Sequence, residues 1–401
     1  MNASSYLLLL ANFVCVSHTP PARAQSAQDS ISAEQLRAVK LWLKASAISL
    51  NVNKTDSCIA NLEAFDRNLK DIRIVGIGEA THGTRESALF RFGVIKHLVK
   101  HGRFKAIGLE ASYVLTLKLN DYLLNGKGSL AEALVGLKFW SWDTEEVTSL
   151  FAWIREFNLR APESDMVRVY GFDVQHCEGA IELITQFESE MKLSTSPDTT
   201  LSEEIGHLRT VFVQGAMSEG KSALRDQFMA ECVRYLMNRE GRDSRMILLA
   251  HNGHVRSSYN GFFTRAMGSY LRETYGNQYY VLGVDFAFGT FRARDLGNDG
   301  SLVEFRVPPP ESKSAGWFFV QSGIPQFVVD LRSAPQTDPV ALWINSPLLM
   351  RSVGAGFSSG MLCCEQLKMK EGYDGIVFFD TTSSSHPTLT GTRGPLKVKQ
   401  K

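Results

Sequence analysis

The chain has 401 residues, long enough to bury a large core in one large domain or two medium ones. With 44% hydrophobic and 21% charged residues it has the composition of a soluble globular protein. Its 43 Lys and Arg against 42 Asp and Glu argue against a nucleic-acid surface, and no local basic patch stands out.

Tyr6 to Val16 is an apolar run too short to cross a bilayer, and Ala22-Arg23-Ala24 offers an A-x-A cleavage pattern before Gln25. Residues 1–24 are therefore expected to be a secretory signal, although one without an early Lys or Arg. The mature protein would be exported, periplasmic or secreted. Cys15 follows Phe13-Val14 rather than the small residue of a lipoprotein signal, and no later stretch is long and apolar enough for a membrane anchor. Five cysteines remain after the leader: Cys58, Cys177, Cys232, Cys363 and Cys364. Their spacings suit no metal framework, and most read as buried, inert thiols. Adjacent Cys363 and Cys364 would bond each other only under strain.

Helical periodicity begins near Ala33, where Leu36, Val39 and Leu43 share a face. Six short apolar runs then read as buried strands: 72–77, 106–109, 167–171, 246–250, 279–284 and 375–379. Helical segments such as Ser87 to His101, closed by Gly102, and Phe262 to Tyr275 lie between them. Strands alternating with helices imply crossover connections, hence an α/β fold with a mainly parallel sheet covered on both faces. The stretches from Ser112 to about Asp165 and from Glu178 to Glu240 are almost wholly helical, more than a crossover needs. They are expected to form a helical insertion lobe over one edge of the sheet, within one domain spanning 33–390.

In an open parallel sheet, ligands bind beyond the carboxyl ends of the strands. The first strand runs into Gly78-Glu79-Ala80-Thr81-His82-Gly83-Thr84, the second ends at Glu110, and the third at Asp173. The fourth ends at His251-Asn252-Gly253-His254 and the fifth at Asp285. A lone Glu or His at a strand end is usually a helix cap or a satisfied loop residue. Several converging on one edge would instead perturb one another's pKa values, as in a working site. Glu79 and His82, three apart in a turn, can hydrogen-bond, and a carboxylate-paired His is a good general base for water.

Three other patterns compete. Gly215 to Ser222 matches the P-loop pattern but follows a weak strand inside a helical region, with no magnesium-binding Asp apparent. Gly356-Phe357-Ser358-Ser359-Gly360 matches a nucleophile elbow, with Asp380 and His386 following in order. Too few residues separate Ser358 from His386 for a hydrolase core to fit between them. His82, His251, His254 and the two glutamates are compatible with a metal, but their spacing is no specific zinc signature.

At these residues the chain resembles the erythromycin esterase family. The match runs through Gly78 to Thr84 with Glu86 and Arg91, Gly108-Leu109-Glu110, and Trp140-Ser141-Trp142-Asp143-Thr144-Glu145-Glu146 with Trp153, Arg155 and Asn158. It continues through Gly171-Phe172-Asp173-Val174-Gln175, Arg225 to Glu231, Ala250 to Val255, and Met267 to Leu271, from about residue 33 to 390. The resemblance implies a three-layer α/β/α core, a helical lobe and a cleft between them. It implies cofactor-free, metal-independent hydrolysis of the macrolactone ester of 14-membered macrolides such as erythromycin. His82 would activate water, oriented by Glu79, with Arg91 and Glu110 completing the polar floor. His251 and His254 would steady the oxyanion together with Arg91, or protonate the leaving alkoxide. Trp140 and Trp142, with Phe139, would supply apolar walls and Asp173 a further substrate contact, although core packing serves the two tryptophans equally well; Trp153 reads as packing. Three rivals remain open: an esterase for a non-macrolide ester, a metal-dependent hydrolase on the same residues, and a periplasmic protein that binds a large amphiphile without turnover.

Overall fold

Along the central strands, successive residues enter two different cores. Ile74, Met246, Leu248, Tyr279 and Val281 pack into one, and Val75, Ile77, Ile247, Leu249, Tyr280 and Leu282 into the other. A period of two with both faces apolar is the signature of a sheet covered on both sides. The computed structural model describes residues 33–54, 58–59, 62–175, 222–258 and 265–388, together with Thr185, Gly206 and Thr210. The expected leader, the P-loop-like run as far as Lys221 and most of 178–221 lie outside the described residues.

The main sheet contains β1 (Ile48–Ser49), β2 (Ile74–Ile77), β3 (Ala106–Ser112), β4 (Arg168–Asp173), β5 (Met246–Leu249), β6 (Tyr279–Asp295), β7 (Leu302–Arg306), β8 (Gln326–Asp330), then, after β9 (Pro347–Arg351), β10 (Gly356–Phe357), and, after β11 (Cys364–Lys368), β12 (Gly375–Thr382). The order is β1-β8-β12-β6-β2-β5-β3-β4, with β7 and β10 on the distal half of β6. From β12 to β4 all neighbours are parallel. β8 and β1 continue the sheet antiparallel, and β9 with β11 makes a separate two-stranded sheet. The chain goes from β2 to β3 and β4, then returns to insert β5 between β2 and β3. It next crosses to β6 on the far side of β2. Such a reversal opens a crevice at the carboxyl ends of the strands beside it.

Helices α1 (Ala33–Ser46) and α2 (Leu62–Asn68) precede α3 (Arg85–His101), α4 (Tyr113–Asn120), α5 (Leu130–Gly136) and α6 (Glu145–Asn158). Then come α7 (Ser222–Arg239), the single turn α8 (Asn252–Val255), α9 (Met267–Tyr275), α10 (Ala315–Gln321) and α11 (Pro339–Asn345). α3 and α6 bury Phe90, Val94, Ile95, Leu98, Leu150, Phe151 and Ile154 on one face of the sheet. On the other, α7 and α9 bury Met229, Val233, Leu236, Met267 and Leu271, joined by α1, α10 and α11. Each such side chain stabilises the fold by about 1.5–3 kcal/mol. The fold is thus α/β in three layers, with a mostly parallel sheet in the middle.

Two expectations need correction. The fifth predicted strand does not end at Asp285; β6 continues ten residues further, to Asp295. Asp285 is buried in mid-strand, where Oδ1 accepts the N–H groups of Phe286 (2.9 Å) and Arg351 (3.2 Å). Gly102 does follow α3, its N–H bonded to the Leu98 carbonyl at 2.8 Å, but its φ is −95°. The left-handed residue is Arg103, φ 58°. Among the described residues no helix is long and apolar enough to cross a membrane.

Candidate active site

The loop from Gly78 to Thr84 leaves β2 in the crevice and is pinned against β6. A Cβ at Gly83 would fall 1.9 Å from the Arg292 carbonyl oxygen, so only glycine allows this approach. Gly83 O accepts the N–H groups of Arg292 (3.1 Å) and Ser385 (2.9 Å). Asn252, after β5, completes the frame: its amide pairs with Val284 N–H and C=O at 3.0 and 2.7 Å, and its N–H donates to Glu79 O at 2.9 Å.

On this loop His82 Nδ1 donates to Glu79 Oε1 at 2.7 Å. Arg91, from α3, donates to Glu79 Oε2 at 2.7 Å and to the carbonyls of Ile77 (3.0 Å) and Ala250 (2.7 Å). Burial opposes ionisation of Glu79, but Arg91 and His82 outweigh it and hold the carboxyl below its usual range.

A second network adjoins the first. β3 carries a bulge where Glu110 and Ala111 face the single Phe172 of β4, a device that re-aims side chains beside active sites. Glu110 accepts from Arg225 Nη2 (3.0 Å) and His251 N–H (2.8 Å), and its Oε1 lies 3.4 Å from His254 Nε2. Arg225 also grips Asp173 through Nε (2.9 Å) and Nη2 (2.7 Å). His254 Nδ1 donates to Asp226 Oδ1 at 2.9 Å, and Asp226 also takes the Met267 N–H at 2.8 Å. Burial disfavours a charged His254, but Asp226 and Glu110 overcome it and push the pKa up to about 10. Burial also opposes a charged Glu110, and His254, His82 and Arg225 outweigh it and hold the carboxyl well below its usual value. For His251, burial and the neighbouring His82 ring push the pKa down to about 3. Its Nδ1 accepts Gly253 N–H (3.2 Å), which leaves Nε2–H facing Ala80 O at 3.3 Å.

Aromatic rings close over His82. Phe139 and Trp140 meet it edge-on at centroid distances of 5.3 and 6.5 Å, and His251 lies 5.5 Å away. Trp142 Nε1 donates to the Glu110 carbonyl at 3.4 Å, while the buried Trp140 Nε1 has no partner. Beside Glu79, His82 and Arg91 a narrow recess is lined further by Trp142, Ser141, Thr144, Glu146 and Ser385.

Glu79, His82, Arg91, Glu110, Asp173, His251 and His254 therefore converge, with Trp140 and Trp142 beside them. Three of these side chains are also engaged by partners within the protein. Both terminal nitrogens of Arg91 have partners in Glu79 and the carbonyls of Ile77 and Ala250, and Arg91 also lines the recess beside His82. His254 has both ring nitrogens turned to carboxylates, Glu110 and Asp226. Asp173 is engaged bidentately by Arg225. The chemistry of the donor set is that of an ion-pair network: each carboxylate already faces a cation. Arg225 and Asp226 were missed as functional residues; Asp226 stands on the buried stripe of α7 with Met229, Ala230 and Val233, an unusual place for a charge, and Arg225 is part-buried beside it. The nucleophile-elbow pattern makes no triad. Ser358 lies against Gly297 after β6, whereas the His386 N–H bonds Glu146 at the start of α6. Trp153 packs between Phe92 and Phe157.

The sequence profile described as erythromycin esterase matches residues 99–193 and 206–382. The erythromycin esterase type II of Escherichia coli is 19% identical over 74% of this chain and 89% of its own length. A crystal structure of a Bacillus cereus protein superposes with a TM-score of 0.72 at 22% identity, covering 88% of this chain and 99% of that one. An erythromycin esterase mutant in its open conformation gives 0.60 at 16% identity, over 85% and 98%.

Proposed function

Because the chain belongs to the erythromycin esterase family and is a hydrolase acting on ester bonds, we propose that it opens the macrolactone ester of a 14-membered macrolide such as erythromycin, with water activated by His82. The observation that carries the reading is the 2.7 Å contact between His82 Nδ1 and Glu79, which fixes the tautomer that leaves the Nε2 lone pair for water. His82 takes one proton as the oxygen attacks the ester carbonyl. His251 is neutral and carries Nε2–H 3.3 Å from Ala80 O, a weak bond it can exchange for the oxyanion. As the tetrahedral species collapses, the His82 imidazolium returns its proton to the departing alkoxide. The general base contributes about 10²–10⁴ in rate and one oxyanion donor about 10²–10³. Phe139, Trp140 and Trp142 supply the apolar wall for an amphipathic substrate. Residues 1–24 export the enzyme, which meets the drug outside the cytoplasm.

Mass spectrometry of erythromycin incubated with the protein, beside a His82→Ala control, tests this. The expected product is heavier by one water and absent with the variant. Unchanged erythromycin with folded protein overturns the macrolide assignment. The polar lining of the recess, Ser141, Thr144, Glu146 and Ser385, favours a second reading, a smaller and more polar ester. Turnover of such esters alone would establish it.

A further inference from the structure

Side chains alternate along a strand, so two neighbouring cysteines within β11 would point apart. Cys364 begins β11 opposite Arg351 of β9, but Cys363 stands just before the strand, and its Sγ lies 3.7 Å from that of Cys364. Both residues are half-buried free thiols. Arg351 is held rigidly: Nε donates to Phe286 O (3.3 Å), and Nη2 to Ala287 O (3.0 Å) and Pro308 O (2.6 Å). Its Nη1 faces the sulfurs, 2.8 Å from Cys363 Sγ and 3.8 Å from Cys364 Sγ. The hydrogen bond from Cys364 lowers the Cys363 pKa, burial raises it, and Arg351 lowers it again, to about 6. The same contact and burial move Cys364 upward. A fixed cation beside one thiol, with a second thiol in reach, is the arrangement of an attacking and a resolving cysteine.

The pair is also wired to the catalytic loop. Cys363 O accepts Ser352 N–H (2.9 Å), and Val353 N–H donates to Ala80 O (2.7 Å). Gly354 O accepts from Thr81 Oγ1 (3.2 Å) and His82 N–H (3.5 Å).

We propose that Cys363 and Cys364 form a thiol–disulfide exchange site whose redox state is transmitted through residues 351–354 to the loop that carries His82. The Cys363 thiolate attacks one sulfur of a low-molecular-mass or protein disulfide, forms a mixed disulfide and expels the other half as a thiolate. Cys364 passes its proton to that thiolate and attacks the Cys363 sulfur, releasing the second half, which takes a proton from water. The net change removes two electrons from the cysteine pair and leaves the oxidant as two thiols. Closure draws the sulfurs from 3.7 Å to about 2.05 Å in the strained ring that adjacent cysteines must form, which leaves the bond easily reduced; it discharges the anion facing Arg351 and pulls on the carbonyl that holds Ser352.

The test is to incubate the protein with oxidised glutathione and analyse the tryptic peptide from Ser352 to Lys368 by mass. The wild type should lose two hydrogens in this peptide. Cys364→Ser should instead trap one glutathionyl group on Cys363, and Cys363→Ser should react about tenfold more slowly or less. A wild-type peptide that stays unmodified, or equal rates in the two variants, overturns the exchange site. Amide hydrogen exchange over residues 79–84 reads the coupling without any substrate. It should change on oxidation and revert with dithiothreitol. Unchanged exchange in oxidised protein overturns the link to His82.

Discussion

His251 and His254 sit three residues apart and carry opposite charge states, because only His254 faces carboxylates with both nitrogens. His251, depressed to about 3, refuses a proton that the unfolded chain accepts below about pH 6.5, so its burial costs stability as the pH falls from 6.5 toward 3. The slope is up to about 1.4 kcal/mol per pH unit. His254, raised to about 10, runs the other way: its contribution is complete below about pH 6.5 and is lost as the pH rises through 10. His251→Asn keeps an acceptor for the Gly253 N–H and removes the titration. The Tm advantage of the wild type over this variant should shrink between pH 6.5 and 4, and a constant difference would refute the assignment. The Glu79–His82 pair was legible in the sequence because a three-residue spacing in one turn is a local fact. The engagement of Arg91 and Asp173 was not, because it depends on which partners lie opposite them across the sheet. Asp226 was readable in principle as a charge on an apolar helical stripe.

α7 joins the two halves of the site through Arg225, which bridges Glu110 on β3 and Asp173 on β4. Replacing it with Met strands two buried carboxylates, which costs about 3–5 kcal/mol and should appear as a lower urea midpoint. Arg225→Lys should recover only part of that loss, because an ammonium cannot reproduce the bidentate grip on Asp173. If Arg225→Met were as stable as wild type, the bridge would not be what anchors α7. The six parallel strands were legible because strands buried on both faces are continuous apolar runs. β8, β9 and β11 were not, since each is five residues long and mixes polar with apolar positions. β6 was cut short at Asp285 because an acid suggests a strand end. Backbone N–H groups of Phe286 on β6 and Arg351 on β9 make it a buried acceptor instead.

Across the whole molecule, the His82 loop is fixed by contact with β6 as much as by its own strand. Gly83→Ala drives a Cβ into the Arg292 carbonyl and should cost about 1–3 kcal/mol in stability, with a larger proportional loss of ester hydrolysis. Unimpaired turnover would show that the loop tolerates displacement. The parallel sheet covered on both faces followed from strands alternating with helices, whereas the choice of substrate rests on family membership and not on any single residue. β6 has a last consequence. Its 17 residues extend over about 56 Å, first inside the sheet beside β2 and β12, then out to β7 across the exposed turn Leu296–Asp299. The described residues after that turn, β8 and β12 among them, are held to the rest by strand pairing and the two cores. A protease site placed between Asn298 and Asp299 should therefore yield two pieces that elute together and still hydrolyse ester, parting only in denaturant. The covalent thread can be severed there while the molecule remains one folded body; separation of the pieces in buffer would show that the thread itself is needed.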